Sequence, residues 1–239
     1  MLEEMTETEV LTAANRFFLT CDADKMELSR PSKTVIEGLG LRATAGTGTD
    51  RYALHRNTWC AHAPYVLRSA RIEIRPFVEA DLAAFHQIAG QLSVARMLVN
   101  ISHPLSFDMA CRWIKRRRFT GRLGFMVGVF NHDGRLLGAI GIGGLSNSLV
   151  YFLSEDARGA GLGTEVVSLF IRDAIPRFAL KSIFAGVFSD NPASRRLLEK
   201  LGFVVKGTAD FKSPARQTSD LFWEMELDCK HLSREPTTP

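Results

Sequence analysis

The 239 residues are 46% hydrophobic and 23% charged, with a formal net charge of +4. That balance fits one globular domain, alone or with an appendage, and excludes a wholly disordered, collagenous or disulfide-scaffold chain. Charge is unevenly placed: Lys and Arg minus Asp and Glu give 7 − 9 = −2 over residues 1–67 and 23 − 17 = +6 over residues 68–239, so the second part suits an anionic ligand.

Residues 1–66 read as an extension, largely irregular. Thr8 to Leu19 can form an amphipathic helix with Val10, Leu11, Ala14, Phe17 and Phe18 near one face. Periodicity then fades, and Ala43 to Asp50 has the small, Gly-containing composition of a linker. Met5 and Met26 are alternative starts. Glu3, Glu4, Glu7 and Glu9 stand where a leader would carry Lys or Arg, so a cytoplasmic protein is expected. Cys21, Cys60, Cys111 and Cys229 form no CxxC pair and have no His at metal-ligand spacing. Free thiols and no metal are expected.

From residue 67 the pattern sharpens. Ala70, Ile72 and Ile74 alternate with charged residues as in a half-buried strand. Helices are predicted over Glu79–Ala89 and Phe107–Phe119. The second holds the run Lys115-Arg116-Arg117-Arg118, which lacks interleaved aromatics and reads as a solvated helix face, not a nucleic-acid site. Strands Gly124–Asn131 and Leu136–Gly143 flank Asp133-Gly134, a hairpin signal, because Gly accepts the positive φ of a tight turn. The uncharged stretch Leu136–Ser154 is long enough to raise the membrane question, but Ser146-Asn147-Ser148 breaks it into two strands. A strand over Leu149–Leu153, a Gly-punctuated loop and a helix from Leu162 follow; Pro176 ends or kinks that helix. Ser182–Phe188 is another strand. Pro192 and Gly202 bracket a short helix, with Pro at its start and Gly just past its end. Gly202–Lys206 and Leu221–Leu227 complete a mixed sheet in an α/β domain spanning 67–229, and 230–239 is expected to be a flexible tail.

The most informative segment is Arg158-Gly159-Ala160-Gly161-Leu162-Gly163-Thr164, between a strand and a helix. A helix N-terminus presents unpaired N–H groups and partial positive charge, and glycines remove the Cβ atoms that would hold an anion away. Such a loop grips a pyrophosphate through backbone amides. The dinucleotide pattern G-x-G-x-x-G fails because its last position is Thr164, and no P-loop Lys is present. Arg158, Gly161 and Gly163 satisfy [QR]-x-x-G-x-[GA] instead. One strand later comes Asp190-Asn191-Pro192-Ala193-Ser194, then Leu201-Gly202-Phe203.

Together these segments resemble the two signatures of the GNAT acetyltransferase superfamily. V-Y-F-L, R-G-A-G-L-G-T-E and N-P-A-S-R-R-L-L-E-K-L-G-F look most like its RimJ/RimL branch. The resemblance covers about Leu67 to Cys229. It implies a mixed, mostly antiparallel central sheet flanked by helices, and direct acetyl transfer from acetyl-CoA to a primary amine in a ternary complex. It implies that Arg158, Gly159, Ala160, Gly161, Leu162, Gly163 and Thr164 hold the pyrophosphate. Phe152, Leu153 and Ser154 would border the pantetheine arm, where two strands splay. Asn191 would contact that arm or a water, and Ser194 would protonate the leaving thiolate; both residues can equally serve the start of their helix.

The general base is the gap. Relatives carry an acidic residue near the position of Ser148, but no carboxylate lies between Asp133 and Glu155. His86, His103 or a water chain are the alternatives. Deprotonating a lysine amine at neutral pH costs about 4–5 kcal/mol, an α-amine only about 1. A site without a strong base therefore fits a protein N-terminus or another weakly basic amine. The competing expectation is a non-catalytic module that binds acyl-CoA or a partner. The chain is expected to be a monomer or homodimer, without membrane contact.

Overall fold

The computed structural model describes residues 5–20, 25–29, 31–39, 41–43, 51–55, 65–143 and 146–230. The chain divides into two compact units, one of residues 1–64, 120–122 and 173–180, the other of 65–119, 123–172 and 181–239.

The first unit is not the largely irregular extension expected from sequence. It holds α1 (Glu7–Thr20), β1 (Lys25–Ser29), α2 (Lys33–Gly38), β2 (Arg42–Ala43) and β3 (Arg51–His55). β3 lies between β1 and β2 in an antiparallel sheet. Thr6 and Glu9 close the start of α1 reciprocally, as a capping box, and Ser32 accepts from the Val35 amide at the start of α2. Val10, Ala14, Leu28, Val35, Leu39 and Leu54 form a buried core. The helix expected over Thr8–Leu19 is α1; the strands were not read because they have two to five residues, too few to show a period. The Phe17 and Phe18 side chains, residues 44–50, Cys21, Cys60 and the tail beyond Lys230 lie outside the described residues.

The second unit is built on an eight-stranded sheet. Its elements are β4 (Leu67–Arg68), β5 (Glu73–Arg75), α3 (Leu82–Ala89), α4 (Leu92–Ala95), α5 (Phe107–Arg116), β6 (Phe125–Phe130), β7 (Leu136–Gly143) and β8 (Ser148–Leu153). Then come α6 (Leu162–Phe178), whose last residues belong to the first unit, β9 (Ser182–Phe188), α7 (Pro192–Lys200), β10 (Val204–Phe211) and β11 (Asp220–Asp228). The sheet order is β10-β11-β9-β8-β7-β6-β5-β4. Every pairing is antiparallel except β8 with β9. This is the mixed, mostly antiparallel sheet flanked by helices that the sequence led us to expect. Phe85, Ile88, Val94, Leu98, Met126, Phe130 and Phe152 join α3, α4 and the sheet in one apolar core. No described helix is long and apolar enough to cross a membrane.

Local chemistry sets the boundaries. Ser106 accepts from the Met109 amide and starts α5. α7 ends in a Schellman motif: Phe203 N–H donates to the Leu198 carbonyl and Gly202 N–H to that of Glu199, with Gly202 at φ 90°. Pro176 falls in the last turn of α6, two residues before its end.

Candidate active site

The sheet opens between β8 and β9. β8 and β9 are bridged at Ser148–Phe184 and Leu149–Ala185, and beyond these pairs the strands part. The two strands run parallel, and each is followed by a helix. The N-termini of α6 and α7 therefore lie at the same end of the sheet, beside the gap, and both contribute partial positive charge there.

A cavity of about 440 Å³ occupies this region. β8 lines it with Tyr151, Phe152 and Leu153, the loop with Arg158, Gly159 and Gly161, and α6 with Gly163 and Thr164. Asn191, Ser194, Arg196 and Lys200 line it from the α7 side, and Ser93, Val94 and Met97 from α4 and the residues after it. Ser154, Ala160 and Leu162 do not line it. Ser154 and Leu162 are buried, and the Ala160 carbonyl accepts a bond from Arg71, which does not line the cavity. Arg158, Arg196 and Lys200 give the wall positive charge, and no Asp, Glu or His is among the lining residues.

The loop is shaped as a cradle. Arg158 N–H donates to Glu155, while Thr164 and Glu165 N–H both donate to Gly161. Between them the amides of Gly159, Ala160, Gly161, Leu162 and Gly163 find no carbonyl acceptor among the described residues. Gly159 and Gly161 have φ of 89° and 74°, with nothing within 4 Å of where a Cβ would stand. The backbone there requires glycine, and the space above it is open. Gly163 has another reason: a Cβ would meet Leu197 Cδ1 at 2.9 Å, so glycine lets α6 approach α7. The Arg158 guanidinium donates twice to the Leu153 carbonyl, at 3.0 and 2.9 Å, which ties the end of β8 to the cradle.

Asn191 caps α7, its Oδ1 accepting from the Ser194 amide at 3.2 Å. The Ser194 hydroxyl is bonded to the Tyr151 hydroxyl at 2.8 Å, and burial pushes the Tyr151 phenol up to about 12. Tyr151 therefore stays protonated at every physiological pH and can donate. Sequence reading used Tyr151 only as part of V-Y-F-L. Strand alternation was the available signal, since it places Tyr151 on the same face as Leu153. Arg196 and Lys200 were also missed. Their i, i+4 spacing gives them one helix face.

The expected base substitutes do not reach this cavity. His86 Nε2 is bonded to the Leu105 carbonyl at 2.7 Å and His103 Nδ1 to that of Gly90 at 3.0 Å, and neither lines the wall. The Ser148 hydroxyl is engaged with that of Ser146. Asp190, just before Asn191, is held by Arg96 and by buried Arg216, which also pairs with Asp220. Burial works against it, but these arginines keep the Asp190 carboxyl below its ordinary range. A second cavity of about 490 Å³, lined by Arg96, His103, Arg216 and Asp220, adjoins this network.

Comparison with known proteins gives the family and the fold. The model of the acetyltransferase (GNAT) domain matches residues 71–204. The probable N-acetyltransferase YjcK of Bacillus subtilis is 37% identical over 89 residues, which are 34% of this chain and 49% of that protein, so the match spans about half the relative's length. Among solved structures, a GNAT-family acetyltransferase from Bacillus anthracis superposes with TM-score 0.59 at 15% identity, covering 68% of this chain and 98% of that one. Spermidine N-acetyltransferase from Vibrio cholerae, in complex with CoA and spermine, gives 0.57 at 17%, covering 69% and 99%. Ribosomal-protein-S5-alanine acetyltransferase from Vibrio fischeri gives 0.57 at 14%, covering 69% and 97%. At these identities the structures attest the fold. The family match covers more than half of the chain, and the chain belongs to the GNAT acetyltransferase family.

Proposed function

We propose that this protein is an acetyl-CoA-dependent N-acetyltransferase of the RimJ/RimL-like branch, acting on a weakly basic primary amine such as a protein N-terminus. The observation that carries the reading is the cradle of unpaired amides from Gly159 to Gly163, opening onto a cationic cavity at the splayed β8–β9 pair. Residues 67–229 are the catalytic domain in this reading, and the protein works in the cytoplasm.

Acetyl-CoA supplies an activated acetyl thioester. The cradle amides and the positive ends of α6 and α7 bind the pyrophosphate, and Arg158 fixes the cradle to the end of β8. Phe152 and Leu153 border the pantetheine arm along the unpaired edge of β8. Asn191 holds the first turn of α7, which places the Ser194 hydroxyl. Ser194 protonates the leaving thiolate, and the proton that the attacking amine sheds returns to Ser194 through the Tyr151 hydroxyl bonded to it.

Ser194→Ala is expected to lower kcat about 100-fold and to leave the KM for acetyl-CoA nearly unchanged. Tyr151→Phe keeps the ring and removes the relay, so a loss of about tenfold is expected. Steady-state kinetics check both, and a Ser194→Ala enzyme with wild-type kcat removes Ser194 from the chemistry. Because the Tyr151 phenol sits at about 12, no alkaline fall in kcat is expected below about pH 11, whereas an unshifted phenol would give one near pH 10.

The acceptor preference follows from the wall. With no carboxylate or imidazole lining the cavity, an amine that sheds its proton near neutrality is favoured, and peptide N-termini should react faster than lysine side chains at pH 7. Mass spectrometry of peptides carrying both amines measures the ratio, and faster lysine acetylation would exclude the α-amine preference. The same missing base favours the second reading, a GNAT module that binds acyl-CoA without turnover.

A further inference from the structure

The cradle is held from outside the cavity by a residue that belongs to neither signature. Arg71 lies in the turn between β4 and β5, 89 residues before Ala160. Its Nη1 donates to the Ala160 carbonyl at 3.0 Å. Its Nε donates to Glu165 Oε2 at 2.6 Å, and its Nη2 reaches the same oxygen. The other Glu165 oxygen accepts from the Ser69 hydroxyl at 2.5 Å. Ser69 and Ile72 close that turn on themselves through Ser69 N–H to the Ile72 carbonyl at 2.9 Å, so Arg71 projects from a fixed hairpin.

Two physical consequences follow. The peptide joining Ala160 to Gly161 is planar and trans, so its C=O and N–H point in opposite directions. Pinning the Ala160 carbonyl to Arg71 outside therefore turns the Gly161 N–H the other way, and Gly161 lines the cavity. Glu165 lies in the first turn of α6, where its charge would oppose a phosphate. The guanidinium neutralises it. The neighbouring pair Arg135–Asp156 is more than half exposed on both sides, and such pairs contribute little. Arg71 differs because it also grips backbone.

We infer that Arg71 is a positioning residue for the pyrophosphate of the acetyl donor: it aims the Gly161 amide and cancels the Glu165 charge beside it. The inference rests on the acetyl-CoA reading. The Ser69 and Arg71 bonds outweigh burial and hold the Glu165 carboxyl below its ordinary range, so the pair persists across neutral pH and is lost only as acid protonates the carboxylate.

Calorimetric titration of the full chain with CoA tests it in wild type, Arg71→Met, Arg71→Lys and the double variant Arg71→Met with Glu165→Gln. Arg71→Met is expected to weaken CoA binding about tenfold, the low end for a charge-assisted bond because the side chain is half exposed. The double variant should recover to within about threefold of wild type, since the orphaned charge is gone. A merely structural arginine would not give that recovery. Wild-type affinity in Arg71→Met, or equal weakness of the single and double variants, overturns the inference. Should Arg71→Met fail to fold, Arg71→Lys decides: it keeps the charge and loses the fork, so weaker binding is expected, and wild-type affinity overturns the inference. A wild-type chain that does not bind CoA overturns the acetyl-CoA reading itself.

Discussion

Gly161→Glu is expected to lower affinity for acetyl-CoA about a thousandfold. Two effects add. Gly161 sits at φ 74°, where an L side chain costs about 1–2 kcal/mol. A carboxylate about 5 Å from a phosphate repels it by about 3 kcal/mol at an effective dielectric of 20. Gly161→Ala separates the two. Nothing lies within 4 Å of its Cβ position, so alanine adds strain without a clash, and a loss of about fivefold to tenfold is expected. Both variants carry the same backbone penalty, so their melting temperatures should be close. The contrast between them in calorimetry reads the charge at the cradle. Equal, small losses in the two would mean that the anion binds elsewhere.

Arg216→Met is expected to cost about 2–3 kcal/mol of stability. The Arg216 side chain is 3% exposed, and it pairs with Asp190 at 2.7 Å and with Asp220. It also donates to the Arg96 carbonyl at 2.8 Å and lies 3.8 Å from the centre of the Phe188 ring. Breaking a buried pair costs about 3–5 kcal/mol. The figure is discounted because the two carboxylates are 34% and 40% exposed and water partly solvates them. In a domain of this size the loss should lower the melting temperature by about 5–10 °C. The pH dependence has a definite sign. A carboxylate whose folded pKa is depressed stabilises above its unfolded pKa, about 3.9 for Asp, and loses that contribution as pH falls through the folded value. The gap between wild type and variant should be full at pH 7 and shrink below about pH 4. A gap independent of pH would assign the effect to packing on Phe188.

The same network shows where sequence reading stops. Asp190 is adjacent to the Asn191 motif and looks like part of it, yet its partners are Arg96 and Arg216, 94 and 26 residues away. Arg71 and Glu165 are equally remote, and no local pattern pairs them. What was legible was local: the Asp133-Gly134 hairpin, with Gly134 at φ 79°, the Pro192 and Gly202 bracket of α7, and the cradle glycines. α4 was not, because four residues cannot show a helical period, and with it went Ser93 and Val94 as cavity residues. β10 was expected to end at Lys206 but runs to Phe211. It is an edge strand exposed along most of its length, so no apolar alternation marks it. In the first unit the helix over Thr8–Leu19 was legible and is α1, whereas strands of two to five residues were not, for the same reason as α4.

Catalysis is tested most directly by following free CoA thiol and acetylated product together, with the full chain, acetyl-CoA and a panel of amines led by N-terminal peptides. Equimolar thiol and acetyl-amine are expected, reduced about 100-fold in Ser194→Ala and to background in Gly161→Glu. A wild-type protein that binds acetyl-CoA but releases no thiol above the uncatalysed rate with any amine would contradict the catalytic reading and establish a binding module.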